Sequence, residues 1–307
     1  MPGARLSFPL VPRRRVIGLS YGTMKSLRRG SGTDVAGSRP YRPGDDMDSI
    51  DWAASARLST ARGGDEFVVR ERFAEEAPKI VIVCDRRPAM ASYGPPLPWL
   101  DKPSAMRTVV ELILASAGAA GGFVGYLDYA DGEPHWRQPK GERKLIELRD
   151  DRLWSNEYGG PEDWLERSVD HLASHTRAVT PGTFVFLLSD FIPAPSHEVW
   201  LTAIEHRFDL VPVVIQDPTW DRSFPEVDGI VLPLRDPRTG HVSSARLRRR
   251  EVAARREENR ARTAELFETF RFLDVDPVLV TSSDGADILA EFLLWADLRR
   301  TRRVIGA

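Results

Sequence analysis

Lys79-Ile80-Val81-Ile82-Val83-Cys84-Asp85 decides the fold, because it is a short β-branched apolar run that ends on an acid. A continuous run of this kind predicts a strand buried on both faces, as in the middle of a parallel sheet. Gly122-Phe123-Val124-Gly125-Tyr126-Leu127-Asp128-Tyr129 is a second predicted strand. Thr183-Phe184-Val185-Phe186-Leu187-Leu188-Ser189-Asp190 repeats the first pattern, acid included, and Leu210-Val211-Pro212-Val213-Val214-Ile215 follows. Met106, Val109, Val110, Ile113 and Leu114 recur at helical spacing within 101–118. Further helices are predicted at 161–178, 196–207 and 287–298. Additional strands are predicted at 229–234 and 277–281, with a long charged helix over 244–272 between them. Strands alternating with helices give an α/β fold with a doubly wound, mostly parallel sheet. Ligands of such sheets sit beyond the carboxyl ends of the strands, near the switch in strand order. Asp85 and Asp190 both fall at such ends.

Residues 1–77 read differently and predict an N-terminal β/loop segment, separate from an α/β domain over 78–307. Gly30-Ser31-Gly32-Thr33 and the stretch from Arg39 to Asp46 have loop chemistry. A short helix is expected after Asp48, with Ile50, Ala53, Ala54 and Leu58 on one face and Asp48 or Ser49 as its N-cap. Phe67 to Phe73 suits a strand.

Composition narrows the function classes. The 307 residues are 42% hydrophobic, enough for a sizeable core and against general disorder. A net charge of −2 supplies no global field toward nucleic acid or anionic lipid. The single cysteine, Cys84, excludes an internal disulfide framework and a multi-cysteine metal cluster. The most apolar long window, 109–127, contains Glu111 and four glycines, so no membrane span is expected. Arg13-Arg14-Arg15 precedes only a short apolar run, less than a signal core requires, and the cytoplasm is the expected compartment.

Two strand-end aspartates admit two readings: a rim for a hard divalent cation such as Mg²⁺, or two loop-capping residues. The Pro43-Gly44-Asp45-Asp46 stretch is good turn chemistry, with Pro fixing φ and Gly allowing positive φ. Asp46 and Asp51 then cap turns or pair with Arg39, Arg42 or Arg57; alternatively Tyr41, Asp45, Asp46 and Trp52 form a recognition surface. Eight arginines and five glutamates lie between Arg246 and Glu268, and the interleaved signs favour a solvated helix over a nucleic-acid surface.

The stretch Gly37 to Asp46, followed by Ile50-Asp51-Trp52 and Ser55-Ala56-Arg57, resembles the signature of the domain-of-unknown-function 58 family, R-x-Y-x-P-G-D-D-x-x-x-I-D-W-x-x-S-A-R. Arg39, Tyr41, Pro43, Gly44, Asp45, Asp46, Asp51, Trp52, Ser55 and Arg57 carry the match. Leu188-Ser189-Asp190-Phe191, Ile215-Gln216-Asp217-Pro218 and Asp236-Pro237-Arg238-Thr239-Gly240 resemble its later motifs, in order. The resemblance implies a von Willebrand factor A-like domain and a MoxR-type AAA+ ATPase as partner. It further implies a role as adaptor toward a protein client, without established enzymatic activity. The metal site of von Willebrand A domains reads Asp-x-Ser-x-Ser; here Asp85 keeps the first position while Arg87 and Ala89 replace the serines. No cofactor is therefore expected. Arg86 or Arg87 is expected to pair with Asp85 or Asp190 in place of the cation, leaving Asp85, Arg86, Arg87 and Asp190 as an interaction rim.

Enzymatic motifs are incomplete. An aspartyl phosphotransferase needs a second acid where Arg87 stands. Ser189 has no G-x-S-x-G elbow. His171 and His175 share a helix face without the glutamate of a zinc protease. Gly30-Ser31-Gly32-Thr33 lacks the lysine of a phosphate loop. Cys84 lies inside an apolar strand, where a thiol is an inert small hydrophobe. The expectation is a non-enzymatic interaction module; the alternative is a metal-dependent hydrolase or phosphotransferase at the Asp85/Asp190 rim.

Overall fold

The structure, a computed structural model, describes residues 6–13, 25–41, 47, 50–63, 66–75, 77–92, 100–140, 155–236 and 238–305. It divides into two compact units: Met1–Arg13 with Lys79–Ala307, and Arg14–Pro78.

The larger unit holds a six-stranded sheet. Its strands are β3 (Lys79–Cys84), β4 (Phe123–Asp128), β5 (His135–Lys140), β6 (Phe184–Ser189), β7 (Asp209–Ile215) and β10 (Val278–Val280). They lie in the order β10-β7-β6-β3-β4-β5, and every pair is parallel except β4 with β5. The chain builds β3, β4 and β5 toward one edge, then returns to lay β6, β7 and β10 on the other side. The switch in strand order therefore lies between β3 and β6, the two strands that end at Asp85 and Asp190. The α/β fold with a mostly parallel sheet and flanking helices is the one the apolar runs predict.

Helices α2 (Lys102–Ala119), α3 (Trp164–Ser174), α4 (His197–Glu205), α5 (Arg249–Phe272) and α6 (Gly285–Ile305) flank the sheet. Successive strand side chains point to opposite faces, so β3 and β6 supply two cores. Val81, Val83, Val185 and Leu187 join Trp164, Leu172, Trp200 and Phe270 of α3, α4 and α5. On the other face Phe186 meets Phe292 and Trp295 of α6, and α2 packs on α6. Phe8 belongs to that second core: its ring stacks on Phe292 at 4.3 Å, and its N–H donates to Ser116 Oγ. Residues 6–13 thus pack with the sheet unit, whereas the sequence predicts 1–77 as one N-terminal segment. Arg299 fixes the same edge from beneath, pairing with Asp209 at 2.9 Å and Asp276 at 3.1 Å while donating to the Val11 carbonyl.

Strands β8 (Ile230–Arg235) and β9 (Val242–Leu247) form a separate antiparallel hairpin. Asp236 closes its turn by accepting from Arg238 N and Thr239 Oγ1, and Gly240 takes φ +70°. The predicted strand at 229–234 is therefore outside the main sheet. The charged helix starts at Arg249 rather than 244, so Arg246 lies on β9. The antiparallel edge strand β5 had no expected counterpart.

In the smaller unit, β1 (Lys25–Pro40) pairs antiparallel with β2 (Val68–Glu75), with register shifts, and α1 spans Trp52–Arg62. Gly30-Ser31-Gly32-Thr33 falls inside the span of β1, but the register breaks across it: Gly30 and Val35 both lie opposite Arg72, so Ser31 to Thr33 bulge out of the ladder between them. The N-cap of α1 is Asp51, which accepts from Ala54 N at 3.0 Å, not Asp48 or Ser49, which lie outside the described residues.

Candidate functional site

Four parallel strands of the sheet unit are each followed or closed by an acid at the carboxyl end: Asp85, Asp128, Asp190 and Asp217. Three buried cations answer them. Uncompensated buried charge is costly, so this pairing is a condition of folding as well as a site.

Arg87 occupies the switch point. Its backbone N–H donates to Asp85 Oδ1 at 2.8 Å, and its Nη2 lies 2.6 Å from Asp85 Oδ2 and 3.1 Å from Asp190 Oδ1. Nη1 donates to the Ile192 carbonyl at 2.9 Å and approaches Glu162 at 3.4 Å. Lys102, the first residue of α2, adds a second cation: Nζ lies 2.9 Å from Asp190 Oδ2 and 3.0 Å from Asp221 Oδ2. Arg87, Lys102, Asp85 and Asp190 are at most 3% exposed.

The Ser-Asp-Phe stretch builds the β6 side. Ser189 Oγ donates to Asp85 Oδ2 at 2.7 Å and accepts from Phe191 N. Asp190 Oδ1 accepts from Ile192 N at 3.0 Å. Phe191 adopts φ +51°, sparsely populated for a bulky residue, and its ring is held among Trp164, Trp200 and Phe270. Gln216 Nε2 donates to the Asp190 carbonyl at 2.7 Å, and Asp217 accepts from Leu100 N, anchoring the start of α2.

Arg86 turns the other way. Its Nε lies 3.6 Å from Asp128 Oδ2, Nη2 donates to Tyr126 Oη, and the guanidinium covers the Tyr158 ring at 5.1 Å. Gly160 passes so close that an added Cβ would meet the Arg86 carbonyl carbon at 2.9 Å. Of the four rim residues expected to act together, Asp85, Arg87 and Asp190 form one cluster, and Arg86 belongs to a neighbouring one with Asp128. Lys102 and Asp221 have no role in the sequence reading, which places Asp128 only in a strand and Asp217 only in the Asp-Pro motif. Asp128 carried the same signal as Asp85, an acid closing an apolar strand; Lys102 carried none, since a lysine at a helix start reads as surface.

Electrostatics follow the geometry. Burial pushes the Asp190 carboxyl up, but Lys102 and then Arg87 outweigh it and hold it below the usual carboxylate range. Burial prevails at Asp221, whose carboxyl is raised despite Lys102. The buried Cys84 thiol is pushed up to about 12, chiefly by desolvation.

A divalent cation does not fit these residues. It would need free oxygen lone pairs, yet both oxygens of Asp85 and both of Asp190 already accept hydrogen bonds. Two positive side chains stand within 3.1 Å of those oxygens and would repel it.

The signature residues of the smaller unit separate into two kinds. Ser55 Oγ accepts from Val68 N at 2.8 Å and donates to the Asp51 carbonyl, so Asp51 and Ser55 tie α1 to β2. Trp52 is 59% exposed and packs edge-on to Phe67, which Tyr41 also meets. Arg57 is exposed, and its Nε donates to the Ala53 carbonyl. Arg39 lies on β1 opposite Val69, while Pro43, Gly44, Asp45 and Asp46 lie outside the described residues.

The family model described as protein of unknown function DUF58 matches residues 37–265. The chain belongs to the DUF58 family. No curated protein matches it. Among solved structures, it is similar to the conserved hypothetical protein BatB from Bacteroides thetaiotaomicron, at 17% identity and TM-score 0.40, over 72% of this chain and 100% of that one. It is also similar to an aerotolerance-related membrane protein from Bacteroides fragilis NCTC 9343, at 13% identity and TM-score 0.41, with the same coverage. Among the described residues of this DUF58 chain, no helix is long and apolar enough to cross a membrane.

Proposed function

We propose that this DUF58 chain is a non-enzymatic, cytoplasmic interaction module with a degenerate von Willebrand A-like metal site, serving as adaptor between a MoxR-type AAA+ ATPase and a protein client. The observation that carries the reading is the Arg87 guanidinium lying between Asp85 and Asp190. At a switch point this is where a sheet of this kind would bind its ligand. An internal arginine and lysine take up the carboxylates that metal or acid–base chemistry would need free. The centre is then a buried, neutralised strut, which leaves recognition to the surface around it rather than to these side chains. The ATPase itself is implied by the family resemblance.

The test uses the purified full chain. Calorimetry with Mg²⁺ and Mn²⁺ should show no binding, generic phosphate and ester substrates should not be turned over, and a MoxR-type ATPase should be retained on the immobilised protein. Metal-dependent hydrolysis that disappears in Asp85→Ala would instead establish a hydrolase or phosphotransferase.

A further inference from the structure

Helix α5 supplies a second candidate site, away from the Arg87 centre. Arg260, Thr263, Ala264 and Phe267 follow one another at i, i+3, i+4 and i+7, the spacing of one helical face. With Pro218 and Arg222 of the loop after β7, they line an open cleft of about 430 Å³.

Three other polar residues of this helix bond carbonyls of the loop after β7. Arg256 donates to the Phe224 carbonyl, Asn259 to those of Trp220 and Ser223, and Arg262 to that of Asp221. They satisfy carbonyls of a loop that lies outside the sheets. Arg222, half-buried, and Arg260, exposed, make no side-chain hydrogen bond or ion pair with another described residue. Arg222 Nε and Thr263 Oγ1 are buried and unsatisfied. Leaving a buried donor unmade costs about 1–3 kcal/mol, so an acceptor that enters the cleft beside Arg222 is favoured.

We propose that this cleft binds an acidic peptide segment of a protein partner, with a carboxylate between Arg222 and Arg260 and an adjacent apolar side chain against Phe267, Pro218 and Ala264. Guanidinium forks match carboxylates in two-point hydrogen bonds. A bare anion would leave the apolar lining wet, whereas an acidic residue beside an apolar one satisfies both halves. None of the lining residues belongs to the Asp85–Arg87–Asp190 centre, so failure here leaves the reading of that centre standing.

The test is fluorescence anisotropy on the full chain with a fluorescein-labelled peptide containing Glu-Phe-Glu, and its Gln-Phe-Gln counterpart as control. The acidic peptide should bind, and Arg222→Gln or Arg260→Gln should each weaken it about tenfold or more. Arg260→Lys should lie between, since it keeps charge but loses the fork. Arg246→Gln, on β9, should leave binding unchanged. Equal affinity for the Gln peptide, or indifference to the cleft variants, would overturn the proposal. So would displacement by inorganic phosphate at concentrations matching the peptide, which marks a free-anion site, or tighter binding of a single-stranded oligonucleotide to the same arginines.

Discussion

Arg87 Nη2 lies 3.1 Å from Asp190 Oδ1, joining the ends of β3 and β6 across the point where the strand order reverses. The same nitrogen holds Asp85 at 2.6 Å, so one side chain neutralises two buried carboxylates. Arg87→Ala would leave Asp85 and Asp190 facing each other with less compensation. Removing one partner of a buried ion pair costs about 3–5 kcal/mol, and urea unfolding of Arg87→Ala should show a loss of that order. Arg87→Lys should recover little, because a point charge cannot reproduce the two-point contact. A loss below about 1 kcal/mol would mean the pair contributes no more than a surface bridge.

Asp190 and Asp221 share Lys102 but should respond oppositely to acid. Asp190 is held below its ordinary value, so as pH falls the unfolded chain takes up the proton first. Its stabilisation is present above the unfolded value near ~3.9 and lost as pH drops through the folded one. Asp221 is raised by burial, so its contribution is present below the unfolded value and lost as pH rises through the folded one. Asp190→Asn should therefore cost more than Asp221→Asn at neutral pH and should flatten the acid limb of stability. Urea midpoints of both variants from about pH 3 to pH 7 check this; equal costs would contradict the assignment.

Cys84, buried in β3 with its thiol raised to about 12, should carry almost no thiolate at neutral pH. Thiolate is the reactive form. Iodoacetamide should leave the native chain unmodified and label it fully in denaturant, as intact mass would show. Rapid native labelling would mean that β3 opens, a strand at the centre of the sheet.

The fold was legible because burial on both faces writes itself into a strand. Ile80 to Cys84 and Phe184 to Leu188 leave no polar alternation, and their terminal acids mark the rim. Arg87 was legible as a positive residue two places after a strand-end acid. What escaped depends on distant contacts. Phe8 reads as a tail residue until Phe292 is seen beneath it. Lys102 gains its role from Asp190 and Asp221, 88 and 119 positions away along the chain (190 − 102 and 221 − 102). The mixed charges of α5 mark a solvated face, where Arg255, Glu257, Glu258 and Arg260 are exposed, but they carry no signal for the loop carbonyls that Arg256 and Arg262 satisfy.

The family signature yields the last prediction, because its residues split by burial. Asp51 caps α1, and Ser55 holds β2 through Val68, so Asp51→Ala should cost about 1 kcal/mol of the smaller unit's stability. Trp52, in the next position, is 59% exposed and contacts Phe67 edge-on. Exposed aromatic residues supply large contact area at little entropic cost and are favoured as binding anchors. Trp52→Ala should leave the melting temperature nearly unchanged while weakening retention of a partner on the immobilised protein. Loss of folding on Trp52→Ala, or unchanged partner binding, would return the whole signature to a structural role.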